Sequence, residues 1–408
     1  MSPYALVPAP RAEGSLPSLW THVVRVAAAL AAGMGVGRFV YTPILPLMHT
    51  QAGLSTAAGA HLATANYVGY LLGALAGTLL PALVRSRAAL RASLALLIGT
   101  LAAMPATHST TAWIALRLLA GLASALIFVV AVNSLLGHLR NHPPHLPGWG
   151  FGGVGAGIAL SGLLVLALRS VADWQVAWWS SAALAAALAA AAWNLRPEIP
   201  PAPSTGTPDK VVDPWFGALF VSYTLEGVGY IVAGTFLVAA IGQSSPGWIG
   251  SGAWVLVGLA AVPSSALWAR LGRRWSRPGL LCVALVIQAV GIALPALAGG
   301  VAAALVSAVL FGATFIGVST LALATGAELQ FPRSVALLTA GYSVGQILGP
   351  LAVAPLLHHG YRPALLLAAA VVLAAAVTAA VLRTGFPRRR AVALRLSAPA
   401  RDVRTAGR

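Results

Sequence analysis

Residues 362–383 read RPALLLAAAVVLAAAVTAAVLR, and no charged side chain lies between Arg362 and Arg383. A helix rises about 1.5 Å per residue, so about 20 apolar residues cross the roughly 30 Å hydrocarbon core of a bilayer. The stretch therefore predicts a membrane-spanning helix. Eleven similar stretches precede it, and the twelve predicted spans are residues 21–47, 57–82, 88–107, 111–137, 148–169, 175–195, 215–241, 248–270, 278–298, 300–326, 334–358 and 362–383.

The composition is that of a protein embedded almost entirely in lipid. Of the 408 residues, 59% are hydrophobic and 8% are charged, and the mean hydropathy is +0.85. Soluble domains carry about 25% charged residues, so this chain could not cover a water-exposed surface. Composition excludes a soluble enzyme, a disordered chain and a coiled coil. No stretch shows the alternating pattern of an outer-membrane β-barrel strand.

The net charge of +17 comes from 25 Lys and Arg against 8 Asp and Glu. The basic residues lie between apolar runs and in the tail, which favours topology signals and contact with anionic membrane lipid over nucleic-acid binding. With the N-terminus in the cytoplasm, the inner loops hold 11 basic residues and the outer loops hold two, Arg169 and Arg362. The positive-inside rule thus predicts a multi-pass protein of a bacterial inner membrane with both termini cytoplasmic.

One Pro-rich segment interrupts the apolar pattern and predicts a flexible cytoplasmic linker at residues 197–214. The segments on its two sides resemble each other. The pairs Gly35 and Gly227, Gly121 and Gly312, and Gly155 and Gly345 lie on corresponding spans at offsets of 192, 191 and 190 residues. Nearly equal offsets predict an all-α membrane protein of two pseudo-symmetric six-helix bundles, residues 21–196 and 215–384, with a cytoplasmic tail at 1–20 and a basic cytoplasmic tail at 385–408.

Six segments carry a family resemblance: GVGRFVYTPILPLM (35–48), ANYVGYLLGAL (65–75), RLLAG (117–121), GFGGVGAGIALSG (150–162), EGVGYIVAGTFL (226–237) and YSVGQILGP (342–350). On these segments the chain resembles a Major Facilitator Superfamily (MFS) transporter, in particular the YbfB/YjiJ-type branch. The resemblance implies that spans 1, 4 and 7 line a central cavity for a small-molecule substrate. Span 5 departs from the superfamily's antiporter motif, because it has Gly157-Ile158 where that motif has Gly-Pro.

Three ionisable side chains lie well inside predicted spans: Arg38 in span 1, Arg117 in span 4 and Glu226 in span 7. A charge at mid-bilayer costs roughly 2.5–3.5 kcal/mol on insertion scales, so we expect each of the three to have a structural or functional role. Arg38 lies about 14 Å from the outer end of its span and Glu226 about 16 Å from the inner end, which puts them at similar depth. Since lipid exposure would be costly, we expect all three to face the cavity.

Glu226 is the only acid well inside a predicted span. A low-dielectric site favours the protonated carboxyl and a nearby arginine favours the carboxylate, so opening and closing of the cavity could drive proton uptake and release. We therefore predict Glu226 as the proton-coupling residue. Two alternatives stay open: a static ion pair with Arg38 or Arg117 that locks the halves together, and direct binding of substrate.

The predicted substrate cavity contains Arg38, Tyr41, Arg117, Asn133, Tyr230 and Gln346. Arginine offers a fixed fork of donors, and the first-half spans hold no acid, which favours a substrate with an anionic group. Alternatively, each arginine bonds helix carbonyls or braces Asn133 or Tyr41. Small residues predict helix packing and gating at Gly153, Gly155, Gly157, Gly345, Gly349 and Pro350.

The sequence shows no motif for catalysis or for binding a cofactor or metal. Gly150 to Gly155 fits G-x-G-x-x-G, but no strand precedes it, so we reject a dinucleotide site. We find no nucleophile–base pair, Walker A sequence or metal-ligand set, and we expect no enzyme activity and no cofactor. The sequence predicts a monomeric secondary transporter that works by alternating access, with proton-coupled efflux of a small organic solute. The alternatives are a proton-coupled importer or facilitator of a small organic anion, and a non-transporting membrane sensor or scaffold.

Overall fold

The computed structural model describes residues 16–139, 142, 146–197, 214–245, 247–329, 331 and 334–396. In this part of the chain twelve helices are long and apolar enough to cross a membrane, and no strand is present, so the predicted all-α fold is confirmed. Numbered in chain order as spans 1 to 12, they are Leu19–Gln51, Thr56–Leu79, Arg87–Ala106, Thr110–His138, Leu146–Leu168, Trp174–Ala192, Pro214–Gln243, Trp248–Leu271, Arg277–Leu297, Val301–Glu328, Ser334–His359 and Tyr361–Thr384.

Polar side chains mark where several spans begin. Ser55, Ser86, Ser109 and Asp173 have extended backbones, and the side chain of each accepts a hydrogen bond from the amide three residues later, at 3.1, 3.1, 3.4 and 2.9 Å. Such N-caps satisfy amides that have no partner within the helix. Spans 2, 3, 4 and 6 therefore begin where the local sequence provides a cap.

The twelve spans pack as two equivalent sets of six. Span 2 packs on span 4 and span 3 on span 6, just as span 8 packs on span 10 and span 9 on span 12. Between the halves, span 5 runs along span 8, and span 2 contacts span 11. Exchanging the two halves turns the contact of span 5 with span 8 into the contact of span 11 with span 2. This is the geometry of a pseudo-twofold axis along the membrane normal. An even number of crossings puts both ends of the described chain on one side, called here the terminus side; the other is the far side.

Glycines allow span 5 to lie between spans 1 and 8. A Cβ atom on Gly153 would overlap the Ala27 carbonyl oxygen of span 1, and one on Gly157 would lie 2.5 Å from the Ala31 oxygen. Gly155 meets span 8, where a Cβ would lie 2.5 Å from Val262 N. Close backbone approach of this kind is how membrane helices gain packing contacts.

Span 11 uses its glycines in the same way, against span 7. Cβ atoms on Gly345 and Gly349 would overlap or crowd the backbone oxygens of Thr224 and Val228. Pro350 follows at a buried position inside the same helix. The predicted gating role of these residues stays a prediction.

The predicted boundaries between the bundles fall partly outside the described residues. Residues 198–213 of the predicted linker, 1–15 of the N-terminal tail and 397–408 of the basic tail lie there. The first helix begins at Leu16, and the last runs from Tyr361 to Leu396. The tail predicted from residue 385 therefore begins as a continuation of the last helix.

Candidate transport site

Span 1 is not a continuous α-helix, and its irregular section lies at Arg38. A wide π-turn covers Ala31–Val36, and the α-helix resumes at Tyr41. Pro43 has no amide hydrogen, and the Thr42 amide donates to the Phe39 carbonyl at 3.2 Å. Irregular backbone inside a membrane needs other donors for its carbonyls, because lipid supplies none.

Arg117 of span 4 supplies those donors. Its two terminal nitrogens donate to the carbonyls of Gly37 and Arg38, each at 3.2 Å, and its guanidinium lies 4.8 Å from the centre of the Tyr41 ring. The Tyr41 hydroxyl in turn donates to the Gly59 carbonyl at 2.9 Å. Arg117 thus braces the break in span 1, as in the alternative that gave arginine a role in bonding helix carbonyls.

The Arg38 side chain lies between the halves and is buried, with 3% of it exposed. Its guanidinium carbon is 4.3 Å from the centre of the Tyr70 ring and 4.8 Å from that of Tyr67. A terminal nitrogen donates to Gln346 Oε1, and its Nε has no hydrogen-bond partner. Arg38 is therefore a buried cation that the described residues match with a neutral amide rather than a carboxylate.

Gln346 joins Arg38 to the second half. Its Nε2 donates to the Tyr230 hydroxyl at 2.9 Å while its Oε1 accepts from Arg38. Arg38 and Tyr230 occupy equivalent positions in the sequence repeat, 192 residues apart. One amide thus bridges the two repeat-related positions at the centre of the molecule.

Glu226 is fully buried, one helical turn from Tyr230 towards the terminus side. Its Oε1 accepts a hydrogen bond from Gln288 Nε2 at 3.2 Å, and its Oε2 has no partner. Within the described residues, neither Arg38 nor Arg117 forms an ion pair with it. The expected alternative of a Glu226–arginine lock is therefore not the arrangement of this conformation.

Five aromatic rings form a nearly parallel column beside these polar groups, called here the aromatic ladder: Tyr223, Tyr342, Tyr230, Phe315 and Phe311. Successive ring centres are 4.4, 5.3, 5.9 and 5.8 Å apart, with interplanar angles of 14°, 11°, 6° and 13°. Phe39 of span 1 meets Phe315 edge-on at 5.9 Å. The ladder therefore reaches across to the span that carries Arg38.

The structure brings some of the predicted site residues together and separates others. Arg38, Tyr230 and Gln346 share one hydrogen-bonded chain, and Glu226 lies one turn below it. Tyr41 and Arg117 form the brace on span 1. Asn133 is half-buried and lies about 24 Å beyond Arg117 along span 4, so it belongs to neither group.

Several residues at the centre were not singled out from the sequence. Gln288 is one of four amides well inside the predicted spans, and its side chain donates a hydrogen bond to Glu226. The Arg38 guanidinium lies over the rings of Tyr67 and Tyr70, and Phe315 continues the ladder. One available signal was the ANYVGY motif, which puts two tyrosines on span 2 three residues apart and so on one face.

Four hydrogen bonds between described residues join the halves on the far side and at mid-depth. They join Arg38 to Gln346, Tyr67 to Thr235 at 2.8 Å, Thr42 to the Gly234 carbonyl at 2.5 Å, and His49 to Tyr361 at 3.1 Å. On the terminus side a cleft of about 360 Å³ lies between the halves. Leu136 and Phe151 line it on one side, and Ser265 and Thr320 on the other. This conformation is closed towards the far side.

A family model described as "Uncharacterised MFS-type transporter YbfB" matches residues 30–380. The chain belongs to this family of MFS transporters. Membership makes it a multi-pass membrane protein of a transporter family, with a small molecule as the class of substrate.

A crystal structure of a mutant of the nucleoside transporter NupG is similar to this MFS transporter. The TM-score is 0.64, and the match covers 90% of this chain and 99% of that one. The two sequences are 14% identical, so the likeness shows the fold and not the substrate. No curated protein sequence matches the chain.

Proposed function

We propose that this MFS transporter exports a small organic solute from a bacterial cytoplasm in exchange for protons, with Glu226 as the proton carrier. The terminus side would face the cytoplasm, as the positive-inside rule predicts, and the protein would work as a monomer. Membership of a transporter family favours transport over a sensor or scaffold role. The coupling rests on the environment of one carboxyl group.

The observation that carries the proposal is a fully buried carboxyl without a cation. Glu226 has a single hydrogen-bond donor, Gln288, and a second oxygen with no partner. A buried, uncompensated charge is costly, and such a group takes up a proton instead. The closed site thus stabilises the protonated form, with the proton on the unpartnered Oε2.

Separation of the halves would reverse this preference, because water entering the site solvates the carboxylate. Glu226 lies between the mid-depth bridge and the terminus side, so a cytoplasmic opening would reach it before the far-side contacts break. Proton release to the cytoplasm would leave a carboxylate that disfavours closure while the site is empty. Solute binding, closure, far-side release and reprotonation would complete an exchange cycle by alternating access.

A second candidate is a proton-coupled importer or a facilitator of a small organic anion. Arg38 favours it, because a buried guanidinium that meets a neutral amide can accept an anionic group in its place. The candidates differ in how the solute moves relative to the proton: an exporter exchanges the two, an importer carries them together, and a facilitator needs no proton.

The test is proton movement in proteoliposomes that enclose a pH-sensitive dye and are challenged with pooled organic solutes. We compare wild type, Glu226→Gln and the control Glu328→Gln, which removes a partly exposed carboxylate paired with Arg277 at the terminus side. Solute-dependent proton flux should appear in wild type and Glu328→Gln and vanish in Glu226→Gln. Equal flux in all three proteins would remove Glu226 from the proton path.

A further inference from the structure

The centre of the molecule combines an uncompensated cation with stacked aromatic faces, and this combination restricts the substrate class. Arg38 is buried, its guanidinium is covered by Tyr67 and Tyr70, and its Nε is unpartnered. A buried ion needs a counter-charge or a full set of hydrogen bonds, and Arg38 has neither. The side chain is therefore set to exchange its amide partner for an anion.

Gln346 is a replaceable partner. Its Oε1 mimics one carboxylate oxygen towards Arg38, but an amide offers one acceptor where a carboxylate offers two. Arginine and carboxylate form a planar, two-bond fork that is roughly twice as strong per bond as a neutral pair. A substrate carboxylate could thus displace Gln346, which would break the link between Arg38 and Tyr230.

The aromatic ladder indicates what the carboxylate is attached to. Tyr230, whose hydroxyl binds Gln346, stacks on Phe315 at 5.9 Å with a 6° angle, and Phe39 closes the edge from the other half. A flat ring can lie parallel to Tyr230 or Phe315 and contact that ring over its whole face, whereas a puckered or branched group cannot. Aromatic faces favour a flat, apolar body.

We propose that the substrate is a flat aromatic carboxylate whose acid group binds Arg38 in place of Gln346 and whose ring joins the aromatic ladder beside Tyr230 and Phe315. The inference rests on the second candidate of the proposed function, a carrier of a small organic anion, and narrows that anion to one chemical class. An anion would neutralise Arg38 while Glu226 keeps its proton, so solute and proton would cross together rather than exchange. A flat organic cation, seated on the ladder near Glu226, is the competing class, and Arg38 disfavours it by charge repulsion.

The experiment measures equilibrium binding of four probes to the purified full chain in nanodiscs: benzoate, cyclohexanecarboxylate, benzamide and benzyltrimethylammonium. The probes separate charge from flatness. Benzoate should bind at least about tenfold more tightly than the other three, because each lacks either the carboxylate or the flat ring. Tighter binding of benzyltrimethylammonium, equal binding of the two carboxylates, or no binding at millimolar concentration would overturn the proposal.

Variants locate the binding site. Arg38→Gln should weaken benzoate binding about tenfold or more, Arg38→Lys should weaken it less, and Phe315→Leu should reduce the preference for benzoate over cyclohexanecarboxylate. Arg277→Gln is the control, because this arginine lies on the terminus side in a partly exposed ion pair. Unchanged benzoate binding in folded Arg38→Gln protein would refute the assigned site, and Arg38→Lys supplies the comparison if Arg38→Gln does not fold.

The experiments can refute the substrate class and the coupling mechanism independently. Binding of benzoate that depends on Arg38, without proton flux that depends on Glu226, would overturn the coupling mechanism and leave the substrate class standing. Flux with the pooled solutes that depends on Glu226, without any benzoate binding, would refute the substrate class and leave the coupling mechanism standing.

Discussion

Replacing Gln346 with leucine should open the transporter towards the far side. Leucine is close to glutamine in size, and the substitution removes both hydrogen bonds through which Gln346 joins Arg38 of the first half to Tyr230 of the second. In water, a bond to a charged group contributes about 1.5–3 kcal/mol. Double-mutant cycles within a membrane protein give about 0.6 kcal/mol on average and about 1.7 kcal/mol at most.

The membrane values set the expected size of the effect. Arg38–Gln346 is charge-assisted and fully buried, so it belongs near the upper membrane value, about 1–1.7 kcal/mol. Since about 1.4 kcal/mol is a factor of ten, the ratio of far-side-open to closed protein should rise about 5- to 20-fold. The remaining far-side contacts, such as Tyr67 with Thr235, should keep the closed state from being lost entirely.

Cysteine labelling measures this ratio. Cys282 is the only native cysteine, so Cys282→Ala provides the background for a reporter at Gly234→Cys. Gly234 faces Phe39 of the other half, and a Cβ there meets no atom closer than 3.8 Å. In intact cells, where the far side is external in the proposed topology, a membrane-impermeant maleimide should label the reporter faster in Gln346→Leu by the same 5- to 20-fold.

The matched control is Gln51→Leu, which removes the hydrogen bond that the Trp174 backbone amide donates to Gln51 Oε1 inside the first half. Labelling of the reporter should stay at the wild-type rate in this variant. The reasoning fails if Gln346→Leu is labelled at the wild-type rate, or if Gln51→Leu accelerates labelling equally. Either result would mean that the Arg38–Gln346 bond does not hold the halves together.

Two further substitutions test the packing of span 1 by thermal unfolding of purified protein. Gly153→Ala should destabilise the protein by about 1–3 kcal/mol, because the added Cβ would overlap Ala27 O. The control Gly99→Ala adds its Cβ in open space and should be neutral or stabilising. Equal melting temperatures of the two variants would contradict this packing. Arg117→Leu should lower the free energy of unfolding by about 2–4 kcal/mol, because it leaves two buried carbonyls unpaired. The control Arg277→Gln removes a partly exposed ion pair and should change stability little. An unchanged melting temperature in Arg117→Leu would exclude the brace.

The local sequence was sufficient to predict the spans and the overall architecture. Apolar stretches of about 20 residues have one stable arrangement in lipid, because a helix satisfies its own backbone groups. The glycine offsets near 191 residues predicted the duplication, and the equivalent contacts of span 5 with span 8 and span 2 with span 11 reflect it. Intramembrane charge likewise singled out Arg38, Arg117 and Glu226, since ionisable side chains inside a membrane span are rare and costly.

Only the tertiary structure decided which partners these side chains meet. A helix that is apolar all round carries no stripe to show which face turns inwards, so its rotation cannot be read from the pattern. Arg38 meets Gln346 across 308 residues of chain, and Glu226 meets Gln288 across 62. Those contacts, and the separation of Arg117 from Glu226, follow from how the spans cross. Composition determined that the chain enters the membrane, and packing of the two halves determined where its charges lie.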